Sequence, residues 1–549
     1  MSKIDQFDAV VIGAGISGMY QLHRLRGLGL SARVFETGDG VGGTWYWNRY
    51  PGARFDSESY SYGYSFSKEI LDEWNWTEHF SPQPENERYL NFVADKLDLK
   101  KDIQFNSKVV AARYLDEQNL WEVEIEGGQR VRARFLITAI GILSAHQFPR
   151  IEGMDSFKGQ SWHTARWPKE PVDLRGKRVG VIGTGATGVQ VIQEVAKIAG
   201  QLTVFQLDPN WCSPLNNSAI TEAEQTEIHA GYPAIFDACR KSFGGFVHDF
   251  DQRPFFEVPQ AEREAFFERQ YQGRGFGIWL GNFMDTLTDP RANAEISAFM
   301  AGKIRARVKD PKVAEMLIPK DHGFGTKRVP METRYYEVYN QDNVTLVDLN
   351  ATPIERITPQ GIKIGDKEHA LDYIIYATGF DAVTGAFKRI DIQGKGGTKL
   401  ADKWKDGPET YLGMQVAGFP NLFMLVGPHN GATFCNIPRC IEQNVEWVSD
   451  CIAHMQKQDL QRIETTETAE AAWTNHVYET TQGLLFSGVR SWFVGSNTPG
   501  KKATFLVYAG GRPSYRQNCE AVVAKGYEGF VTSSSISFPE STDPIHLYR

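Results

Sequence analysis

Two glycine runs, Gly13-Ala14-Gly15-Ile16-Ser17-Gly18 and Gly183-Thr184-Gly185-Ala186-Thr187-Gly188, constrain this chain more than any other feature. Each follows a short apolar run, at 8–12 and 179–182, and each opens a helix-like stretch. After the first, Ile16, Met19, Leu22 and Leu25 recur every third residue, the mark of a buried helix face. Glycines let the backbone turn tightly and approach a pyrophosphate, whose charge then sits at a helix N-terminus. Each run therefore predicts a βαβ unit, closed in the first case by 33–36. Glu36 lies 18 residues past Gly18, near the spacing of about 20 expected of a ribose-binding carboxylate. The matching position in the second unit is Gln206, so the two turns hold different nucleotides. The fold class that follows is α/β, with two dinucleotide-binding (Rossmann-like) domains.

A chain of 549 residues exceeds what one core supports, so two or three domains are expected. Between 219 and 319 the pattern turns helical and charged, which predicts a helical insertion in the second domain. Strands are expected at 134–143, 344–347 and 371–377, and a helix at 188–199. The stretch 46–76, rich in Gly, Pro and aromatics, reads as irregular, site-forming backbone. From about Thr532 the Ser/Pro-rich tail reads as extended or mobile. The net charge of −8 argues against a nucleic-acid partner. Six scattered cysteines form no CxxC pair and no zinc-like spacing, so free thiols and no metal are expected. No apolar run reaches the roughly 18 residues of a membrane span, and the run at 9–12 is a strand feeding a turn, not a leader. A soluble, cytoplasmic protein without membrane partners is expected.

Two dinucleotide units suggest a flavin in one and a nicotinamide in the other, the second delivering hydride to the first. A disulfide reductase needs a cysteine pair beside the flavin, and the first unit contains no cysteine. Oxygen is then the natural acceptor, which points to a monooxygenase.

Three further motifs carry a family resemblance. FKGQSWHTARWP presents Phe157, Gly159, His163, Trp167 and Pro168 in the pattern Phe-x-Gly-x-x-x-His-x-x-x-Trp-Pro. A second signature is met by Gly42, Gly43, Trp45, Tyr50, Pro51, Gly52 and Asp56, and a third by ATGFD at 377–381. With both glycine motifs, the chain resembles the type I Baeyer–Villiger monooxygenases, the cyclohexanone, cyclopentanone and phenylacetone monooxygenase group, over nearly its whole length. Sister flavin monooxygenases that oxidise amines and sulfides carry a similar motif ending in tyrosine.

The resemblance implies FAD and NADP as cofactors, and O2 insertion beside a ketone carbonyl to give an ester or lactone. The oxidant it implies is a C4a-peroxyflavin, kept anionic by a positive neighbour. Arginine suits that role, being always charged and offering a planar fork of donors. The family position falls on Arg328 in GFGTKRVP, with Asp56 holding it; Arg54 is a weaker candidate, better read as a structural ion pair. Flavin contacts implied are Gly13, Gly15, Ser17, Gly18, Glu36, Thr44, Trp45, Asp56, Tyr62 and Val109. Nicotinamide-cofactor contacts implied are Thr184, Gly185, Thr187, Gly188, Leu207, Asp208, Lys327 and Trp492. Trp492 lies in a loop, GVRSWFVGSNTPGKK, whose glycines at 488, 495 and 500 would act as hinges.

His163, with Phe157, Gly159 and Trp167, would couple domain motion to the site. A substrate wall is expected from Ile142, Leu143, Phe434, Ile437, Trp492 and Phe505, apolar as a ketone's hydrocarbon body requires. Expected domain limits are 1–142 with 380–549 for FAD and 143–379 for NADP, the insertion spanning 215–322. The expected partners are a small ketone and O2, with the chain a monomer or weak homo-oligomer. In relatives an Arg-Thr pair follows the position of Gln206 and binds the 2′-phosphate, whereas here Leu207-Asp208 follow, so tolerance of NAD is expected. Two alternatives stay open: a flavin monooxygenase whose main work is N or S oxidation, and a non-catalytic flavoprotein sensor.

Overall fold

The computed structural model describes residues 4–431, 435–498 and 500–534. Its chain starts one sheet, leaves it to build a second, and returns. The opening unit is β1 (Asp5–Ile12), α1 (Ile16–Gly27) and β2 (Ala32–Phe35), with β1 and β2 parallel. Ala9, Val10 and Val11 are fully buried, which is why this strand reads as a continuous apolar run rather than an alternation. Gly13 has φ +103°, and a Cβ there would stand 2.5 Å from the Ala139 carbonyl oxygen. Only glycine meets both demands. The sheet continues through β3 (Ile103–Gln104), β4 (Val109–Leu115), β5 (Leu120–Ile125) and β6 (Arg130–Thr138). β6 stops at Thr138, short of the expected 143, because the chain turns at Gly141 (φ +72°). Ile142 and Leu143 therefore sit on a loop.

The second sheet takes β7 (Gln160–His163), β8 (Arg178–Ile182), α2 (Ala186–Val195) and β9 (Gln201–Gln206). Gly183 repeats the geometry of Gly13, with φ +106° and a virtual Cβ 2.4 Å from the Ala377 carbonyl oxygen. The helix expected to reach 199 ends at Val195 and gives way to turns. The longest helices of the stretch that follows are α3 (Glu222–Lys241), α4 (Gln260–Gln272) and α5 (Pro290–Arg307). A capping box starts α3, Thr221 accepting from the Glu224 amide while the Glu224 carboxylate accepts from the Thr221 amide. The chain then re-enters through β10 (Val344–Asp348) and β11 (Tyr373–Tyr376). The five strands run parallel in the order β10-β9-β8-β11-β7.

On its return the chain adds β12 (Asp391–Gln393) beside β4, and β13 (Leu422–Met424) beside the C-terminal half of β6. Next come α6 (Ile437–Lys457), β14 (Arg462–Thr465), α7 (Arg512–Ala524) and β15 (Phe530–Ser533). α6 packs along α1, where Gln21 Nε2 donates to Ser449 Oγ at 3.1 Å and Arg24 pairs with Asp450 at 2.9 Å. Thr532, where the tail was expected to begin, is extended within β15 and pairs with Ile463. Of the six cysteines expected free, two are joined: Cys435 and Cys440, with Cα atoms 6.7 Å apart, link the entry of α6 to its first turn. Cys212, Cys239, Cys451 and Cys519 are free and buried. Among the described residues no helix is long and apolar enough to cross a membrane.

Substituting Gly183→Ala forces a Cβ onto a carbonyl oxygen in a left-handed turn. We expect a loss of at least about 1–3 kcal/mol of stability, with nucleotide binding abolished at the second turn and retained at the first. A thermal melt with separate titrations of the two sites checks this; NADP+ binding unchanged in the variant contradicts it.

Candidate active site

α1 starts after Gly15 with no side-chain cap, so its first-turn N–H groups remain available to an anion. Glu36 reaches back to this turn: Oε2 accepts from the Ala14 amide at 2.8 Å and Oε1 from the Gly38 amide at 2.7 Å. Burial raises its pKa, while those amides pull the other way. Each oxygen keeps a lone pair for a ribose hydroxyl. Ser17 and Gly18 lie buried in the first turn of α1, and Val109 is buried at the start of β4. Thr44 is exposed at the head of the short helix Thr44–Trp47. Trp45 Nε1 donates to the Tyr62 hydroxyl at 3.1 Å, and the Tyr62 ring stacks on Phe55 with centroids 3.8 Å apart.

The stretch 50–56 leans on the second unit. The Tyr50 hydroxyl donates to Gln190 Oε1 on α2 at 2.6 Å, and a Cβ at Gly52 would stand 2.4 Å from the Gln190 carbonyl oxygen. Asp56 is thereby set against Arg328, whose Nη2 donates to Asp56 Oδ2 while Nη1 donates to the Val329 carbonyl. The Arg328 guanidinium also lies over the Phe276 ring, 5.3 Å from its centroid. Asp56 Oδ1 is buried with no partner. Arg54 is engaged elsewhere, with Glu78 at 2.9 Å and the Phe80 carbonyl at 2.8 Å, the structural pair expected of it.

At the second turn, α2 also begins uncapped after Gly185, and nothing stands within 4 Å of a Cβ built on Gly185. Thr184 Oγ1 donates to the Asp208 carbonyl at 2.8 Å, which ties the turn to the segment after β9. Thr187 and Gly188 occupy the first turn of α2. Leu207 is 48% exposed. Asp208 does not stand alone: Arg490 pairs with it at 2.9 Å. Lys327 pairs with Asp321 at 3.2 Å.

The FKGQSWHTARWP motif contacts both units. Gly159 has no room for a side chain, because a Cβ would stand 2.4 Å from the Asp372 carbonyl oxygen and 2.5 Å from the Phe157 ring. β7 pairs with β11 so that His163 sits opposite Tyr376, at the head of ATGFD. His163 Nε2 donates to the Gly379 carbonyl at 3.1 Å, and Nδ1 accepts from the Ala165 amide at 3.1 Å. Trp167 is buried against Trp162, centroids 5.4 Å apart. Towards the first unit, the Arg166 guanidinium lies 4.3 Å over the Trp47 ring and Lys169 binds Asp39 at 2.6 Å. The loop carrying Trp492 closes on the same place. Lys501 pairs with Asp381 at 2.7 Å, Asn497 Nδ2 donates to the Phe380 carbonyl at 3.2 Å, and Gln147 Nε2 donates to Thr498 Oγ1 at 2.7 Å. Gly495 (φ +64°) and Gly500 (φ +78°) are left-handed, while Gly488 is not.

The residues expected to wall the substrate lie on several separate segments. The Trp492 ring rests on Phe493, centroids 4.5 Å apart, and the Leu506 amide donates to the Phe493 carbonyl at 2.9 Å, which brings buried Phe505 alongside. Ile142 and Leu506 line one small cavity with Val383 and Asn430. Ile437 opens α6, and Leu143 is 40% exposed. Phe434 lies outside the described residues.

The residues fit the two cofactors. Both helix starts are uncapped and cradled by glycine, Glu36 faces the first turn, and Asp56 Oδ1 is an orphaned buried acceptor. Comparison with known proteins agrees. Residues 7–217 match the flavin-binding monooxygenase-like family. The chain is 49% identical over 538 residues to a 2-oxo-Delta(3)-4,5,5-trimethylcyclopentenylacetyl-CoA monooxygenase of Pseudomonas putida, covering 96% of this chain and 99% of that one. It is 45% identical to a Baeyer–Villiger monooxygenase of Pseudooceanicola batsensis, covering 96% of each. A crystal structure of OTEMO with FAD and NADP superposes with a TM-score of 0.94 at 49% identity, covering 97% of this chain and all of that one. The fold and site define a flavin-binding monooxygenase. More narrowly, the chain belongs to the Baeyer–Villiger monooxygenase family.

Sequence reasoning missed Arg490, which lies two residues before Trp492 but meets Asp208 across 282 positions. It also missed Gln190, which fixes Tyr50. Neither belongs to a spacing pattern, and only the tertiary contact reveals them.

His163 is buried, and desolvation, with His146 next in weight, lowers its pKa from 6.5 to about 4. A histidine with a depressed folded-state pKa favours the folded state fully above 6.5, and that contribution is lost as pH falls towards 4. Protonation also removes the Nδ1 acceptor from Ala165. We expect acidification from pH 6.5 to 4 to cost roughly 2–3 kcal/mol at this residue. Denaturant unfolding of wild type and His163→Gln across that range checks it; equal acid slopes in the two proteins contradict it.

Proposed function

We propose that this chain is an FAD- and NADPH-dependent Baeyer–Villiger monooxygenase, converting a ketone, O2, NADPH and a proton into an ester or lactone, NADP+ and water. The observation that carries the reading is the Arg328–Asp56 pair, in which Asp56 follows a segment pinned by Tyr50 and Gly52 to the uncapped, glycine-cradled α2. When bound, the flavin accepts hydride from the nicotinamide and activates dioxygen. The chain's own residues do the rest. Arg328 has donors beyond those spent on Asp56 and Val329, and presents them to the oxyanion that forms as the carbonyl is attacked. Asp56 holds the guanidinium in place and balances its charge. Residues 485–498 and 500–506, anchored to Asp381 and Phe380 through Lys501 and Asn497, exclude water from the reacting atoms. We read 1–142 with 380–549 as the FAD-binding domain and 143–379 as the NADP-binding domain, with 215–322 a helical insertion.

The substrate class this supports is a ketone with a hydrocarbon body, cyclic, linear or aryl, held against Ile142, Ile437, Trp492 and Phe505. Sulfoxidation follows as a side activity, and a ketone and a sulfide offered together rank the two by product. In Arg328→Ala we expect flavin reduction by NADPH to persist while oxygenated product falls by roughly 10²–10³ or more, the range for losing a preorganised oxyanion donor. Stopped-flow flavin absorbance and mass detection of the oxygenated product read the two steps separately. Full product yield from the variant sinks the role.

The 2′-phosphate end of NADP meets Leu207 and Asp208 where an arginine would serve it better. Arg490, paired with Asp208, neutralises the repelling carboxylate and supplies the missing guanidinium from the loop. We expect Arg490→Gln to weaken NADP+ binding and lower kcat/KM for NADPH roughly ten- to a hundredfold, the worth of one charge-assisted bond. NADH use should barely change, and Leu207→Arg should raise the NADPH/NADH ratio. Ratios unmoved by both substitutions would refute this assignment.

A further inference from the structure

A polar cavity of about 230 Å³ shares no residue with the candidate active site. It lies between α3, α6 and α7, with Ser65 also on its wall. Four arginines line it, Arg240, Arg439, Arg512 and Arg516, against Asp237, Glu442 and Glu446.

The carboxylates are already committed. Glu442 accepts from the Ser65 amide and hydroxyl and pairs with Arg439 at 3.0 Å. Asp237 is bound by Lys241 at 2.6 Å. Burial raises the pKa of Glu446, which accepts from the Tyr20 hydroxyl at 3.4 Å. The guanidiniums are not balanced to the same degree. Arg512 is 5% exposed and donates only to the carbonyls of Cys239 (3.1 Å) and Arg439 (3.3 Å). Among the described residues no carboxylate lies within 4.0 Å of it. Burial first, then Arg516 and Arg439, lower its pKa to about 10. The nearest carboxylate to Arg516 is Glu520, at 3.9 Å. The Nε atoms of Arg439, Arg512 and Arg516 are buried without partners, as are both amide atoms of Gln443, a residue 6% exposed.

A buried charge without a counter-charge is costly, and several converging on one cavity are costlier. An incoming oxyanion relieves that cost, because a carboxylate or phosphate matches the guanidinium fork. We infer that this cavity binds a small organic anion, its carboxylate or phosphate group seated between Arg512 and Arg516 and its remaining polar atoms read by Gln443. The occupant ties α6 to α7. It therefore raises stability in proportion to its occupancy.

The test uses FAD-loaded enzyme saturated with NADP+, so that phosphate cannot report the nucleotide site. Succinate and inorganic phosphate are titrated separately by calorimetry at ionic strength fixed with chloride, and thermal midpoints are recorded in parallel. We expect saturable binding of at least one probe with a raised midpoint, the tighter probe naming the end group. Arg516→Gln and Gln443→Leu, each with normal FAD content, should weaken it about tenfold or more. No saturable binding of either anion overturns the proposal, and so does undiminished binding in both variants.

Discussion

The site depends on one ion pair. Arg328 and Asp56 stand 272 residues apart in sequence and meet where the two units touch. Each balances the other's charge in a partly buried setting. Each is also held from behind. Asp56 follows a segment pinned to α2 by Tyr50 and Gly52. Arg328 sits between Gly325, whose carbonyl takes the Trp279 indole N–H at 3.1 Å, and the short strand Met331–Glu332, which pairs with Ser213–Pro214. The guanidinium is thus aimed by the second unit and balanced by the first.

The His163 motif lies at the same junction. A pair shared between two units holds only while the units keep their relation. The FKGQSWHTARWP segment contacts both: His163 reaches Gly379 on one side, while Arg166 and Lys169 reach Trp47 and Asp39 on the other. The Trp492 loop fastens to Phe380 and Asp381 in the same neighbourhood. Neutral His163 suits its place between Gly379 and Ala165, since it donates with one nitrogen and accepts with the other.

What the sequence made legible was local and steric. Gly13 and Gly183 announce themselves because no other residue survives a left-handed turn against a carbonyl oxygen. β1 and β8 read as strands because both faces are buried, and the apolar run needs no alternation. Glu36 was legible from its spacing alone. What stayed hidden was set by tertiary contact. β6 ends at Thr138 because the chain bends at Gly141, although the residues beyond remain apolar. Cys435 and Cys440 resemble any pair of scattered thiols until the start of α6 brings them together. Arg490 reads as a loop arginine until the loop lies on Asp208.

The arginines of this protein separate into two kinds by the company they keep. Arg328, Arg307 and Arg54 each have a carboxylate in contact, so their charge is accounted for within the fold. Arg307 is the extreme case, held by Glu332 and Glu337 together. Arg512 is as buried as any of them, yet donates only to carbonyl oxygens, whose partial charges cannot offset a full one. Folding alone gives no reason to bury a guanidinium in that way, because an apolar side chain of similar volume would cost less. A ligand that arrives with its own negative charge does give one. The same electrostatic rule that fixes Arg328 against Asp56 therefore marks the α3–α6–α7 cavity as a place where the counter-charge comes from outside the chain.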